Sequence, residues 1–434
     1  MADINLYAGF AREDITPEIG TALYGYRPGN YSTNLHDPLF LNAVCFEQSG
    51  TRFLIFNYDL CLIETELSKS MRKMISEITS VPYNNIILSA IHTHSGPNVA
   101  GEPGWGEIDH KYIDGILIPM TKKVAERVSS SLVPVKLGIG TTSSMVGMNR
   151  RMILEDGTVV LGQNPWGPYD PNMTVMSFAD INTNKPVFNI IHYGCHGTAF
   201  GETPDISRDW AGIMVDRLEE ISEAPSFFMN GAIGDVGPRI TNGWTGGGMS
   251  YAEELGGIAS RDAINAWRTI KEWRVAPEMK ILSSQIKLPY RSLPSKEYCE
   301  EEIAKVKDPE SLINIFFLEY QHMVDVKEVY DKNIPIPDYL YMDQTILAIG
   351  PILFLPLPYE FFSEISLRIR QYSPYAYTLL LSNCNGSEGY FPTMDAIPRG
   401  GYEVKSFVSG HAFTLTDDAD QKLIDAEMSL INKL

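Results

Sequence analysis

Apolar and polar positions alternate along this chain in two periods, one typical of strands and one typical of helices. Short apolar runs predict a strand within residues 5–20, followed by a turn at Thr16-Pro17, and strands over residues 41–47, 52–63, 86–91, 135–146, 152–161, 173–179, 187–193, 226–229, 341–349, 352–356 and 377–381. Turn residues at 48–50 and 182–184 predict two hairpins between the strands that flank them. Apolar residues three and four apart predict helices over residues 64–79, 108–131, 210–222, 251–270, 296–307, 309–331, 360–372 and 418–433. This mixture predicts an α/β or α+β fold.

Two of the predicted strands end in histidine. The chain has eight histidines, and four of them are His92, His94, His192 and His196. Residues two apart in a strand face the same side, so His92 and His94 are expected to face one site. Imidazole is the commonest metal ligand, although two polar residues at a strand end would fit an H-x-H pair equally well. His192 lies inside an apolar run and fits a core position, whereas His196 follows the strand and suits a ligand.

Composition and charge exclude several classes of function. The net charge of −19 over 434 residues argues against nucleic acid and anionic membranes as partners. No run of eighteen apolar residues predicts a membrane span, and the N-terminus does not resemble a signal peptide. The five cysteines form no C-x-x-C pair, which favours reduced thiols and a cytoplasmic protein. The glycine-rich stretch 230–238 lacks the lysine and the spacing of a phosphate-binding loop.

Several motifs, in order along the chain, resemble the neutral/alkaline ceramidase superfamily. They are GFAREDITPEIGTALYGY, IHTHSGP, CHGTAFG, NGAIGDVGP and LPYEF. The resemblance extends from about residue 6 to about residue 410 and identifies a divergent member that has the catalytic domain only. It implies mixed β-sheets packed as a sandwich and flanked by helices. We therefore expect one domain over residues 1–434, with no C-terminal immunoglobulin-like domain.

The resemblance also implies a catalytic zinc site. The zinc ligands that it implies are His92, His196, Glu360 and Tyr390. It further implies that His94, Arg150 and Tyr402 line the active site. Each has a structural alternative: Glu360 could be a first-turn acid of a helix, the tyrosines could be packing residues among 22, and Arg150 could be a solvated neighbour of Arg151. Asp235 fits a structural role, with its carboxylate bound to loop amides.

One departure from the family pattern affects the expected chemistry. The family's GDxSP segment carries a serine, whereas this chain has Gly237 at that position. Glycine can act neither as a nucleophile nor as a proton relay, so the reaction is expected to depend on metal-activated water. We expect a ceramidase-like hydrolase that cleaves an amide bond of a small soluble molecule, without stable membrane association. A zinc-dependent cleavage of an ester, lactone or glycoside, an elimination, or a non-catalytic binding protein are the alternatives. An oligomer of identical chains is compatible with the sequence.

Overall fold

Two β-sheets stacked face to face carry helices on their outer sides. The computed structural model describes residues 4–240, 242–244 and 246–434. Its strands are β1 (Tyr7–Asp14), β2 (Asn34–Leu35), β3 (Phe40–Gln48), β4 (Thr51–Tyr58), β5 (Ile86–Ala90), β6 (Val133–Ser143), β7 (Gly147–Asn149), β8 (Arg151–Ile153), β9 (Val159–Leu161), β10 (Asn172–Asp180), β11 (Pro186–Tyr193), β12 (Asp205–Ile206), β13 (Ser226–Asn230), β14 (Val236–Pro238), β15 (Trp273–Val275), β16 (Met279–Pro289), β17 (Tyr339–Ile349), β18 (Ile352–Pro356), β19 (Glu360–Phe361), β20 (Tyr377–Leu381) and β21 (Tyr390–Phe391).

Ten α-helices are present in the described residues. They are α1 (Thr65–Thr79), α2 (His110–Tyr112), α3 (Ile118–Val128), α4 (Asp209–Ser222), α5 (Met249–Arg268), α6 (Lys296–Lys305), α7 (Asn314–Asp331), α8 (Ser363–Tyr372), α9 (Tyr402–Ser409) and α10 (Ala419–Ile431). A π-helical turn, Ile113–Leu117, joins α2 to α3. No helix in the described ranges combines the length and the apolar character needed to cross a membrane.

The larger sheet contains nine strands within the described residues. Its order is β13-β11-β10-β6-β1-β3-β4-β5, with β15 also paired to β6. The two predicted hairpins, β3–β4 and β10–β11, are confirmed as antiparallel pairs. Ser49 and Gly50 have φ of 52° and 79°, which are the left-handed values that a tight hairpin turn needs. The outer pairs β4–β5 and β11–β13 are parallel.

The smaller sheet has the order β16-β17-β18-β20 and packs on the larger one. A single buried cluster joins Phe46, Phe53 and Phe178 of the larger sheet to Leu347 and Phe354 of the smaller. This packing buries one face of each sheet away from water, which is the main stabilising contribution in such a sandwich. The predicted sandwich of mixed sheets is therefore confirmed.

Helices complete the outer layers. Helices α1 and α3 pack on β1, β3, β4 and β5, while α4 and α5 pack on β10, β11 and β13. The outer face of the smaller sheet is covered by α8 and α10. The amphipathic spacing seen in the sequence thus corresponds to helices that bury one side on a sheet.

Some predicted boundaries were wrong. The helix predicted from residue 360 begins at Ser363, because Glu360 and Phe361 instead form β19, parallel to β21. Backbone contacts explain the difference, since Glu360 N–H donates to the Gly389 carbonyl at 2.9 Å and Phe361 accepts from Gly234 N–H at 2.7 Å. Glu360 is therefore not the first-turn acid of a helix.

The carboxyl ends of strands from both sheets meet at one place. The side chain of Asn230, at the end of β13, donates to the Ile91 carbonyl just beyond β5 at 2.8 Å. A parallel bridge then pairs Thr93 with Gly197, which follows β11. The segment after β18 contributes β19, and the segment after β20 contributes β21. This edge brings the predicted ligands together.

Candidate metal centre

The segment with His92 and His94 turns away from β5 instead of extending it. Strand β5 ends at Ala90, and His92 has a φ of 66°, a left-handed conformation that costs a non-glycine residue roughly 1 kcal/mol or more. Two hydrogen bonds hold the turn: His92 N–H donates to the Leu60 carbonyl at 2.9 Å, and His94 N–H to the Gly197 carbonyl at 3.1 Å. The prediction that both histidines lie on one face of a strand is corrected. Their Nε2 atoms nevertheless lie 3.3 Å apart.

Two glycines allow the close approach of the chain to this turn. A Cβ atom at Gly197 would lie 2.6 Å from the carbonyl oxygen of His92. A Cβ atom at Gly25, which has a φ of +120°, would lie 2.4 Å from Nδ1 of His94. Any larger residue at either position would displace a histidine of the site.

His196 is fully buried beyond the end of β11. Its Nδ1 donates to the carbonyl oxygens of Ile233 and Val236, at 2.9 and 3.1 Å. These bonds fix the tautomer, because the proton must then be on Nδ1 and the lone pair on Nε2. His92 Nδ1 lies 3.0 Å from the Cys61 carbonyl, to which it can donate, and 3.0 Å from the Asn383 side-chain nitrogen. When the proton is on Nδ1, Nε2 of His92 is an acceptor.

Glu360 faces both free nitrogens. Its Oε2 lies 3.1 Å from His196 Nε2, and its Oε1 lies 3.5 Å from His92 Nε2. The three potential ligand atoms lie within 4.8 Å of one another, and all three residues are buried. Burial lowers the pKa values of His92 and His196 well below the ordinary value, so both imidazoles are neutral.

This donor set fits a metal cation. Two imidazole lone pairs and a carboxylate converge, and neither His196 Nε2 nor Glu360 Oε2 has a hydrogen-bond partner. Acceptors facing each other in a buried space repel unless a cation lies between them. The buried groups could therefore bind a metal. Cys61, His92 and His94 form a second group with potential ligand atoms within the same distance.

Tyr390, predicted as the fourth ligand, lies beside the cluster. It is opposite Glu360 in the β19–β21 pair, and its ring stacks at 6.5 Å from that of His196. Arg150 Nη2 donates to its hydroxyl at 3.0 Å. Burial raises the pKa of Tyr390 well above the ordinary value and outweighs the opposing effect of the Arg150 cation, so its hydroxyl is protonated.

Tyr402, His94 and Arg150 are also brought to this place. The ring of Tyr402 lies 5.6 Å from that of Tyr390, and both residues line a cavity of about 360 Å³ together with His92, His94 and Glu360. Burial lowers the pKa of His94 to about 4. All seven predicted site residues therefore lie in one region, whatever role each has.

Three further residues considered in the sequence analysis, Asp235, His192 and Gly237, lie outside the group of potential metal ligands. Asp235 accepts the Ser363 N–H at the start of α8, at 2.7 Å, and the Asn149 amide at 3.0 Å. His192 contacts the Leu380 carbonyl at 3.0 Å and is not part of the cluster. Gly237 is buried on β14, opposite Met148.

Sequence reasoning missed two groups. Glu403 binds Arg150 and Arg151, each at 2.8 Å, and so fixes the guanidinium that contacts Tyr390. Glu102 is a second carboxylate of the cavity. Glu403 directly follows the predicted Tyr402, and that position was the only available signal, because its arginine partners are some 250 residues away in sequence.

This protein is thus a mixed α/β sandwich that contains a buried group of two histidines and a glutamate. No family model and no curated protein matches the sequence. Among the solved structures that match are two that cover the whole of this chain. One is neutral ceramidase from Pseudomonas aeruginosa, with a TM-score of 0.73, 19% identity, and coverage of 100% of this chain and 75% of that chain. The other, described as ceramidase complexed with C2, has a TM-score of 0.74, 18% identity, and coverage of 100% and 76%.

The comparison defines the fold. This chain has the fold of neutral ceramidase and diverges strongly from it in sequence, as the motifs predicted.

Proposed function

We propose that this protein is a zinc-dependent hydrolase that uses a metal-activated water to cleave an amide bond of a small, soluble N-acyl compound. The proposal depends above all on the convergence of the two imidazole lone pairs and the Glu360 carboxylate at the wall of a cavity. Nitrogen and carboxylate oxygen are ligands that zinc prefers, and catalytic zinc sites use about three protein ligands. His92, His196 and Glu360 would hold the ion, with Tyr390 as a further ligand.

Bound zinc would lower the pKa of a water to ~7 and polarise the scissile carbonyl. The role of His94 is to carry a proton, for which it needs a neutral imidazole. Burial lowers its pKa to about 4, so it is neutral at physiological pH but a weak base, and its Nε2 lies 3.3 Å from His92 Nε2. His94 would accept a proton from the attacking water at Nε2 and deliver it to the leaving nitrogen.

Arg150 and Tyr402 would stabilise the oxyanion that develops during attack. Glu403 and the Tyr390 hydroxyl hold the Arg150 guanidinium in place. The Tyr402 hydroxyl keeps its proton because burial raises its pKa. A preorganised donor of this kind typically contributes roughly 3 kcal/mol to transition-state stabilisation.

The partner in this proposal is a small molecule. The net charge of −19 makes nucleic acid and anionic membranes unfavourable partners. The five cysteines are all free and buried, which supports a reducing compartment such as the cytoplasm.

Metal content of the purified protein tests the proposal. Elemental mass spectrometry should find about one zinc per wild-type chain, since one set of ligands converges. The His196→Ala variant should lose the zinc, whereas His110→Ala, an exposed histidine outside the cluster, should keep it. Protein purified without chelators and free of any metal would contradict the proposal.

Substrate class is tested separately on the zinc-loaded protein. A panel of N-acyl compounds, esters, lactones and glycosides should give turnover of the N-acyl compounds, with loss of turnover in His196→Ala. Turnover of only the other classes would leave the metal assignment intact and contradict amide hydrolysis.

A further inference from the structure

The cavity next to His92, His196 and Glu360 is strongly acidic. It has a volume of about 360 Å³, at the small end of the range for ligand pockets. Besides Glu360, four carboxylates line it: Glu64, Glu102, Asp325 and Glu388. None of the described residues that line the cavity is lysine or arginine, and the lining His411 has a raised pKa. The nearby Arg150 guanidinium contacts the lining Tyr390 and is already paired with Glu403.

Three of these carboxylates already have partners within the protein. Glu64 caps α1 and accepts two backbone N–H groups of its first turn, at 2.8 and 2.7 Å. Asp325 accepts from the Gln321 amide at 2.7 Å. Glu388 lies 3.2 Å from His411 Nε2 and forms an ion pair with it when that histidine is protonated.

Glu102, like Glu64 and Asp325, is held only by neutral groups, but these come from distant parts of the chain and not from its own segment. The Tyr24 hydroxyl donates to its Oε2 at 2.6 Å, and the Ser387 hydroxyl to its Oε1 at 3.3 Å. Within the described residues it forms no ion pair. Burial raises the pKa of Glu102, and the hydrogen bond from Tyr24 opposes this effect. A cation in the cavity would compensate this charge.

A second observation points to a ligand at one end of the cavity. Glu360 lines the same space, is 5% exposed, and has an unpartnered Oε2. The cavity therefore extends from the group that could bind a metal to the carboxylate of Glu102.

We infer that the substrate of this site carries an ammonium or guanidinium group, which binds in the cavity against Glu102. This inference rests on the proposed function and names its substrate class. A substrate with a carboxylate would be repelled, and a long apolar chain would leave several carboxylates desolvated without partners. An N-acyl compound with a basic group satisfies both requirements.

Three amines of similar size test the inference by binding alone. All three compounds have one amino group at one end. At the other end, diaminobutane has a second ammonium group, butylamine has no charged group, and aminobutyrate has a carboxylate. Isothermal calorimetry on the full chain with zinc should show diaminobutane binding about tenfold or more tightly than butylamine, and aminobutyrate binding most weakly. High salt should reduce the difference.

Variants of one loop assign the effect to Glu102. In Glu102→Gln the preference for diaminobutane should disappear, and in Glu102→Asp, which keeps the charge, it should persist in part. Glu107→Gln changes an exposed glutamate of the same loop and should bind like the wild type. Thermal midpoints of the variants show whether each is folded.

The outcomes separate this inference from the proposed function. Equal binding of the three amines, no binding of any, or a preference that Glu102→Gln leaves unchanged would overturn the inference, even if neutral amides are hydrolysed. A Glu102-dependent preference in a protein that hydrolyses no amide would support the cation site and contradict the proposed reaction.

Discussion

Two buried glutamates near Tyr390 differ in whether a cation of the protein compensates their charge. Glu403 is 1% exposed, and each of its oxygens accepts from an arginine at 2.8 Å. Glu360 is 5% exposed and faces two neutral histidines that offer lone pairs instead of protons. The first carboxylate is compensated within the protein, whereas the second could bind a cation together with the two histidines. Burial alone therefore does not mark a ligand site, but a buried carboxylate that faces other free lone pairs does.

The largest effect is expected from Glu403→Gln. The substitution leaves Arg150 and Arg151 buried without a countercharge, which should lower the free energy of unfolding by about 3–5 kcal/mol. Urea denaturation of the wild type and the variant measures this difference.

Glu319→Gln is the matched control for Glu403→Gln. Glu319 pairs with Lys405 of α9 at the surface, where such a pair contributes about 1 kcal/mol or less. Equal stability losses in the two variants would mean that the buried arginines do not depend on Glu403.

Particular residues show how far the sequence could predict this arrangement. The apolar periods predicted the β3–β4 hairpin and the helix over 64–79, because local spacing and turn residues determine such elements. The histidine motifs and the LPYEF segment pointed to residues that the fold does bring together.

The features that the sequence did not predict depend on contacts between distant parts of the chain. Glu360 was predicted in a helix, but its N–H donates to the Gly389 carbonyl and the next residue accepts from the glycine-rich loop, which makes Glu360 a strand residue. Glu102 binds Tyr24 and Ser387, which are 78 and 285 residues away, so no local pattern identifies it. Charge compensation is a property of the folded protein, and only the structure separates Glu360 from Glu403.

Glu427 is a third buried glutamate. Among the described residues it has no cationic partner, and it does not belong to a potential metal site. Burial raises its pKa to about 8, and the Gln344 amide donates to it at 2.5 Å. The folded protein therefore keeps a proton here between pH 4.5 and 8, while the unfolded chain has lost it. In that range the folded state binds more protons, so the free energy of unfolding should fall as pH rises.

Replacing this carboxyl with an amide should remove that dependence. We expect Glu427→Gln to be more stable than the wild type by about 4 kcal/mol at pH 8 and nearly equal to it at pH 4. Thermal denaturation across this range measures the difference. Asp425→Asn, an exposed change on the same helix, should follow the wild type at every pH, and a Glu427→Gln variant that also did so would show that Glu427 is not protonated in the folded state.

The smallest expected change, and the one that distinguishes Glu360 from Glu403 most sharply, is Glu360→Gln in metal-free protein. An amide N–H at this position can donate to the lone pair of His196 or His92, so the substitution should raise the free energy of unfolding by about 1 kcal/mol, opposite in sign to Glu403→Gln. Differential scanning calorimetry in chelator measures it. Added zinc should then stabilise the wild type and leave the variant almost unchanged, because a ligand stabilises only a folded state that binds it. If the amide destabilised the metal-free protein instead, the histidines would be protonated partners of Glu360, and the two glutamates would be compensated in the same way.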